Sequence, residues 1–292
     1  MNYLKNKKIL LFAPELEKFE YRGIAAYTKS LIDALYESGA EIWLVTSFNP
    51  DNLNIQRFNK CSKNYIYNYE ILESFNNGTN QNFDKKLFNS KKYFLKIFFK
   101  FIKDKTKLPE YFFNILYLFL KKDKLDKNNT HLIRFDYKND NPYLKLEKLS
   151  YMQYISGFLA APNIAQDLIN RSFLPLKNKI KINLDFFDKY ITSEPLNLSS
   201  INNIPLFQTI HDLIPLEFNP NIFKSKSFYI KLKYCGYSRR IYVSEITKNK
   251  FNYFVKNKLE ETLISNNEYY ESVLIQPPSL FFDDFNSIDI YK

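Results

Sequence analysis

The first fifty residues alternate two apolar runs with one amphipathic stretch. The run at 7–12, KKILLF, and the run at 41–48, EIWLVTSF, are typical of buried strands. Between them, apolar residues recur at helical spacing over 24–35, and Gly39 follows as a helix-terminating glycine. The pattern predicts a βαβ unit with a parallel pair of strands and a right-handed crossover, which is how a Rossmann-like domain begins.

A similar rhythm returns near Thr130. Further strands are predicted at the apolar runs THLIRF, KYITSEPL, IPLFQTI, RRIYVS and ESVLIQPPS. Helices are predicted at SFYIKLKYCGYS and EITKNKFNYFVKN, and a loop followed by a helix at YMQYISGFLAAPNIAQDLINRSF. Ser244 is expected to cap the helix that begins after it, since its hydroxyl can accept an amide of the first turn. The predicted fold class is therefore α/β, a Rossmann-like parallel sheet flanked by helices.

Residues from about 50 to 130 interrupt this rhythm. Asn-rich loops surround two Lys- and Phe-rich segments, which predict a helical insertion. In SKKYFLKIFFKFIKDK the lysines fall on one helical face and the apolar residues on the rest. Residues 91–122 could therefore dock on an anionic membrane surface, or pack their apolar faces on each other or on the sheet. Without an internal repeat or a Gly/Ser linker, residues 1–292 are predicted to form one domain.

Composition and charge narrow the class of protein. Of 292 residues, 45% are hydrophobic and 25% charged, which is typical of a globular protein, and no apolar window approaches the roughly 18 residues of a membrane span. The net charge of +11 comes largely from Lys, which like the many Asn, Ile, Phe and Tyr residues is encoded by A/T-rich codons. Because base composition can explain the excess of Lys, the charge is weak evidence for nucleic-acid binding. Cys61 and Cys235 are far apart and form no disulfide framework or metal-ligand spacing. A cytoplasmic location is expected.

Polar residues that follow the predicted strands are the candidates for chemistry, because open α/β sheets bind ligands at the carboxyl ends of their strands. His211 and Asp212 end the run IPLFQTI, and an imidazole there can donate a hydrogen bond or a proton near neutral pH. The alternative is a structural histidine beside an aspartate that caps the next turn. Ser244 and Glu245 are explained by helix capping and by the helix dipole alone.

Gly23 begins the first long helix, where unpaired amides and the helix dipole favour an anion such as a phosphate. The alternative is that the turn alone requires this glycine. The Gly-x-Gly-x-x-Gly, P-loop, zinc-ligand and Gly-x-Ser-x-Gly patterns are all missing from the sequence. These absences argue against dinucleotide binding, P-loop nucleotide hydrolysis, a zinc site and a serine hydrolase.

Several segments, taken in order, resemble the N-terminal domain of group 1 glycosyltransferases, family 4, of the GT-B architecture. The matching segments are KILLFAPE, YRGIAAYTKSLIDAL, FDKYITSEPLNL, IPLFQTIHDLIPLEF, RRIYVSEITKNKF and VLIQPPS. The resemblance covers about residues 7–48 and 185–279. It implies transfer of a sugar, with retention of configuration, from a nucleotide sugar to a glycan or lipid-linked acceptor in surface polysaccharide synthesis. No metal or other cofactor is expected.

The resemblance also implies roles for individual residues. Gly23 would lie against the diphosphate of the donor, and Arg22 could approach the same charge. His211 and Asp212 would face the cleft near the reacting centre. The remaining substrate-binding candidates in the matching segments are Ser193, Glu194, Ser244 and Glu245.

The chain departs from the family at its end. The second domain of that family carries a donor-binding Glu-x7-Glu pattern, and this sequence stops where that domain would begin. We therefore expect an acceptor-side half that is inactive alone and is completed by a separate donor-domain chain, at the inner face of the cell membrane. The alternative is a non-catalytic remnant that binds a glycan, a membrane or a partner, while nucleic-acid binding through residues 85–124 is disfavoured.

Overall fold

The computed structural model describes most of the predicted elements. The described residues are 3–17, 23–52, 61–77, 124–136, 141–162, 180–217, 228–233, 235, 238–256 and 273–275. Their strands are β1 (Lys8–Phe12), β2 (Glu41–Thr46), β3 (Lys124–Asp126), β4 (His131–Arg134), β5 (Gly157–Ala160), β6 (Ile180–Asn183), β7 (Lys189–Thr192), β8 (Leu198–Ser200), β9 (Leu206–Ile210), β10 (Arg239–Tyr242) and β11 (Val273–Ile275).

Helices precede and follow several of these strands along the chain. The α-helices are α1 (Pro14–Glu17), α2 (Gly23–Glu37), α3 (Lys63–Asn77), α4 (Ile214–Glu217) and α5 (Glu245–Phe251), and residues 228–233 are also helical. Tighter 3₁₀ turns occur at Pro50–Asn52, Pro142–Lys145 and Glu147–Tyr154, and α5 continues into one π-helical turn at Asn252–Lys256.

The described strands form one large sheet and one small sheet. The large sheet has eight strands in the order β11-β10-β9-β7-β1-β2-β5-β4, and all neighbours are parallel except β4 and β5, which are antiparallel. Strands β2, β5 and β4, which come earlier in the chain, lie on one side of β1. Strands β7, β9, β10 and β11, which come later in the chain, lie on the other side. The order of the strands therefore reverses between β1 and β7, as in a doubly wound sheet. The small sheet, β3-β6-β8, is parallel.

Side chains of β1 alternate between the two faces of the large sheet. Ile9 and Leu11 pack in the cluster that includes the apolar face of α2, whereas Leu10 and Phe12 pack on the opposite side with residues of the small sheet. A third cluster joins β9 and β10 to α5 through residues such as Tyr242. The chain is thus α/β, with a mostly parallel sheet covered by helices and by the small sheet, and this architecture is compatible with a Rossmann-like fold.

The predicted βαβ opening is confirmed. Strands β1 and β2 pair in parallel, with Lys8 opposite Glu41. Gly39 ends the helix between them with a φ of 86°, in the left-handed region. The amide of Gly39 donates to the Tyr36 carbonyl at 2.8 Å and that of Ala40 to the Leu35 carbonyl at 3.1 Å, which is a Schellman motif.

Several predicted assignments need correction. Within YMQYISGFLAAP the structure has the end of a 3₁₀ helix and then β5, where a loop was predicted. Strand β5 is buried and lies between β2 and β4 in the large sheet. Helix α3 lies in the stretch where regular structure was expected only from the Lys- and Phe-rich segments. The small sheet was not predicted either. Residues 91–122, which carry the predicted membrane-docking helices, lie outside the described residues.

Gly157 is required by close packing within β5. A Cβ atom at this position would lie 2.5 Å from Trp43 Cζ3 and 2.7 Å from the Ile133 carbonyl oxygen. We expect Gly157→Ala to lower the free energy of unfolding by about 2 kcal/mol, because a packed ring and a backbone group must both move. Urea unfolding measures this change. Gly23→Ala is the matched control, since nothing lies within 4 Å of a Cβ there, and an equal loss in both variants would contradict the packing argument.

Among the described residues, no helix is both long enough and apolar enough to cross a membrane.

Candidate functional site

The point where the strand order reverses collects polar side chains from three strand ends. Glu15 follows β1 in the one-turn helix α1, Ser193 and Glu194 follow β7, and His211 follows β9. Strands β1, β7 and β9 are consecutive neighbours in the sheet and run in parallel. Their carboxyl ends therefore meet at one edge, which is where doubly wound sheets place ligands. We call this group of four residues the switch-point cluster.

Glu15 is the most perturbed acid of the cluster. It is only 8% exposed, and both carboxyl oxygens are hydrogen-bonded: the Thr28 hydroxyl lies 2.6 Å from Oε1 and the Ser193 hydroxyl 2.7 Å from Oε2. Burial raises the pKa of Glu15 to about 7, against the lowering effect of the two hydroxyls, and Glu194 adds to the rise by charge repulsion. Glu15 therefore gains and loses a proton near neutral pH.

The two hydroxyls beside Glu15 each have a second acceptor. The Thr28 hydroxyl lies 2.9 Å from the Ile24 carbonyl oxygen, and the Ser193 hydroxyl 3.1 Å from the Phe12 carbonyl oxygen. Each hydroxyl has one proton to donate. When Glu15 is ionised, both hydroxyls can donate to its carboxylate. When Glu15 is protonated, the carboxyl group donates to one of the hydroxyls, and that hydroxyl then donates its own proton to its backbone carbonyl. Both protonation states are thus fully hydrogen-bonded.

His211 is held in one tautomer by the backbone of β7. Its Nε2 lies 2.7 Å from the Ser193 carbonyl oxygen, which can only accept, so Nε2 carries the proton and Nδ1 the lone pair. The Tyr27 ring contacts the imidazole edge to face, with centroids 4.8 Å apart. Burial lowers the pKa of His211, although Ser193, Asp212 and Glu194 oppose this effect. The imidazole is therefore neutral at pH 7, which favours accepting a proton at Nδ1 over donating one.

Asp212 is next to His211, but its side chain makes a local contact at the start of α4. Its side chain is exposed, and Oδ1 accepts from the Ile214 amide at 3.2 Å, at the start of α4. This contact matches the alternative given above, in which Asp212 caps the turn after β9.

Ser244 and Glu245 begin α5 at the neighbouring strand end. Ser244 is the N-cap, as predicted: its hydroxyl accepts from the Thr247 amide at 3.1 Å. Thr247 in turn donates through its hydroxyl to the His211 carbonyl oxygen at 3.0 Å, so the first turn of α5 fixes the backbone of His211. Glu245 is exposed, and its Oε2 lies 3.4 Å from Nζ of Lys248.

Gly23 begins α2 as predicted and is exposed, with open space where a Cβ would be. Arg22 lies outside the described residues. Helix α2 is joined to the switch-point cluster by a hydrogen bond from the Thr28 hydroxyl to the Glu15 carboxyl, and the Thr28 hydroxyl also lies 2.9 Å from the Ile24 carbonyl oxygen in the first turn of α2.

A second buried acid, Glu17, binds the end of β2. Its carboxylate accepts from the Thr46 hydroxyl, from the Ser47 amide at 2.9 Å and from the Ser47 hydroxyl at 2.9 Å. Glu17 is only 6% exposed. Burial and, to a smaller extent, the charges of Glu17 and Glu15 raise the pKa of Tyr151. Glu17 thus joins α1 to the neighbouring strand end.

Sequence reasoning did not identify Glu15, Glu17 and Thr28. The stretch APELEKFEYRG has the pattern of a polar loop, and Thr28 is one polar residue on an amphipathic helix. The available signal was position: Glu15 is the first acid after the first strand, which in a doubly wound sheet borders the reversal of strand order.

Comparisons with known proteins give no relative for this chain: no family model, no curated protein and no solved structure matches it. Within the described ranges, no group of three or more His, Cys, Asp or Glu residues is placed to hold a metal ion.

Proposed function

We propose that the chain is the acceptor-side domain of a retaining, nucleotide-sugar-dependent glycosyltransferase of the GT-B architecture, acting on a glycan or lipid-linked acceptor in surface polysaccharide synthesis. The switch-point cluster is the proposed sugar site. The observation that carries the proposal is the meeting of His211, Glu194, Ser193 and Glu15 at the reversal of strand order. The segments that resemble family 4 glycosyltransferases supply these positions.

The chemistry of the cluster suits a sugar. A sugar offers several hydroxyl groups, each of which can donate one hydrogen bond and accept others. Nδ1 of His211 is an acceptor held in a fixed orientation by the Ser193 carbonyl, and the half-buried Glu194 carboxylate is a second acceptor. Together they can orient a hydroxyl-bearing ligand at the edge of the sheet.

The donor diphosphate would lie at the start of α2. Gly23 is exposed, with nothing within 4 Å of a Cβ position, and the helix dipole favours a negative group there. Stabilising a departing diphosphate requires further cationic groups from across the cleft, which we assign to a donor-binding domain or chain. The proposal needs no resident metal or cofactor.

We expect His211→Ala to weaken ligand binding about tenfold, because it removes one oriented hydrogen-bond acceptor. The two histidines of the chain give a direct measurement, since His131 is exposed on β4 at the far edge of the sheet. Adding nucleotide sugars and neutral oligosaccharides should shift the imidazole ¹⁵N signals of His211 and leave those of His131 unchanged. His131→Ala is the matched control and should bind as wild type.

The outcomes separate the candidate functions. Binding of both a nucleotide sugar and a glycan, followed by sugar transfer once a donor-binding domain is supplied, supports the transferase. Glycan binding without any nucleotide-sugar binding supports the non-catalytic alternative. The proposal fails when no saccharide or nucleotide sugar shifts His211 at millimolar concentration. Membrane docking by residues 91–122 rests on the sequence and is tested separately, with anionic vesicles.

A further inference from the structure

We propose that Tyr27 is a positioning residue for His211: its ring holds the imidazole in the orientation in which Nε2 donates to Ser193 and Nδ1 accepts from a ligand. This inference rests on the proposed function in one respect, namely that Nδ1 receives a hydroxyl group of a saccharide. Tyr27 is only 3% exposed and is buried against the imidazole, so it acts on a ligand through His211.

The hydrogen bonds of His211 leave the plane of its ring partly free. The bond from Nε2 to the Ser193 carbonyl oxygen, 2.7 Å long, holds one atom of the ring, and the bond from Thr247 to the His211 carbonyl holds the backbone. Between these two points the imidazole can still rock, because hydrogen bonds to a carbonyl oxygen tolerate a broad range of directions. A contact on another side of the ring is needed to restrict that motion.

The ring of Tyr27 supplies this contact. The centroids of the Tyr27 and His211 rings are 4.8 Å apart and the two planes are perpendicular, which is the edge-to-face arrangement that aromatic pairs prefer. The energy of such a pair depends on the angle between the rings as well as on the distance. Tyr27 therefore opposes rocking of the imidazole in a way that an aliphatic side chain of similar size does not.

Helix α2 fixes Tyr27 relative to the strand ends. Thr28, the next residue of the helix, has its hydroxyl 2.6 Å from Oε1 of Glu15. Ser193 joins the same two groups from the other side, with its hydroxyl on Glu15 and its carbonyl oxygen on His211. Consecutive residues of α2 thus contact the ends of β9 and β1, the two strands that flank β7. The contacts form a closed circuit, so a shift of Tyr27 would also strain the bond between Thr28 and Glu15.

The ring of Tyr27, and not its hydroxyl, has this role. The phenol oxygen and the Thr209 hydroxyl are both buried, and neither makes a hydrogen bond within the part of the chain that the structure describes. Burial raises the pKa of Tyr27 to about 12, and the Thr209 hydroxyl opposes this rise from a position without the geometry of a hydrogen bond. Removal of the phenol oxygen therefore breaks no hydrogen bond, and phenylalanine should hold the imidazole as tyrosine does.

The first part of the experiment follows the His211 ring in the free protein by ¹H and ¹⁵N NMR at neutral pH. In the wild type, the Nε2–H proton should exchange slowly enough to be seen, and the ring protons should show nuclear Overhauser contacts to Tyr27. Tyr27→Leu and Tyr27→Met both remove the ring, and Met keeps most of the length of the side chain. Both should lose the Nε2–H signal and move the two nitrogen shifts toward each other, whereas Tyr27→Phe should restore the wild-type pattern.

Tyr36→Leu is the matched control. Tyr36 lies on the same helix but is half exposed, and its ring contacts Tyr154. Its replacement should leave the imidazole signals in place. If Tyr27 only fills space in the core, Tyr27→Leu lowers the midpoint of urea unfolding without changing the imidazole signals, and this result overturns the inference. Missing contacts between Tyr27 and His211 in the wild type overturn it as well, and that measurement does not depend on the folding of a variant.

The second part measures ligand binding, with UDP-glucose and maltotriose as the probes. Tyr27→Leu should bind about fivefold more weakly than the wild type, the factor that an edge-to-face pair contributes, and Tyr27→Phe should bind as the wild type. Equal binding by wild type and Tyr27→Leu overturns the positioning role and leaves the proposed function standing. If neither probe binds the wild type, the proposed function loses its support, and the imidazole signals alone decide whether Tyr27 holds His211.

Discussion

Replacing Glu17 by alanine is expected to lower the free energy of unfolding by about 3 kcal/mol. The substitution removes the shared acceptor of the Thr46 hydroxyl and of the amide and hydroxyl of Ser47, at the buried end of β2. Hydrogen bonds to a charged group contribute more than neutral ones, and donors left without an acceptor add a desolvation cost. The loss should exceed that of any surface carboxylate in the chain.

Urea unfolding at pH 7 measures this loss, with Glu37→Ala as the control. Glu37 is also a helical glutamate, but it is exposed at the end of α2, and its replacement should change stability by less than about 0.5 kcal/mol. A loss below about 1 kcal/mol for Glu17→Ala would show that water replaces the carboxylate at the end of β2.

The second large effect is a dependence of stability on pH that originates at Glu15. The folded pKa of about 7 lies above the ordinary value of 4.5, so between these pH values the folded state keeps a proton that the unfolded chain has lost. The stabilising contribution is therefore complete below pH 4.5 and is lost as the pH rises through 7. Its size is about 3 kcal/mol, from a shift of roughly two and a half units.

Comparison with Glu15→Gln isolates this contribution. His211 acts in the opposite direction, because its lowered pKa reduces stability as the pH falls below 6.5. Both proteins contain His211, so it cancels in the difference between their unfolding free energies. As the pH rises from 4.5 to 8, the unfolding free energy of Glu15→Gln minus that of the wild type should increase by about 3 kcal/mol. A difference that does not change with pH would contradict the raised pKa.

The elements that could be predicted from sequence are those with long apolar runs or clear end signals. Strands β1 and β2 contain runs of four consecutive apolar residues, β9 lies within the largely apolar stretch IPLFQTI, and Gly39 marks the end of α2. Ser244 was recognised as a cap because a hydroxyl at a strand-to-helix junction has one common use.

The elements that could not be predicted give weak patterns. Strands β3, β6 and β8 have only three or four residues each and include Lys, Asp, Asn and Ser, so they resemble loops. Helix α3 buries a polar residue, Asn68, whose amide donates to the Arg134 carbonyl at 3.0 Å, a contact that appears only in the folded chain. The four residues of β5 follow a 3₁₀ helix with no turn signal between them.

The candidate site shows the same limit. Glu15 and Ser193 are distant in sequence, so only the order of the strands shows that they are in contact. The pKa of Glu15 is raised by its burial, which also depends on the fold. His211 was identified from its place after a strand, but its tautomer depends on the Ser193 carbonyl. Local sequence therefore indicated which strand ends carry polar groups, and only the fold determined how those groups act on each other.

Two of the hydrogen bonds of Ser193 depend differently on its side chain. The bond to His211 uses the carbonyl oxygen of residue 193, which every amino acid supplies, so substitution there leaves this bond in place. The bond to Glu15 uses the side chain, and it disappears when either residue changes. Replacing the side chain of residue 193 is therefore expected to disturb Glu15 while leaving the orientation of the His211 ring intact.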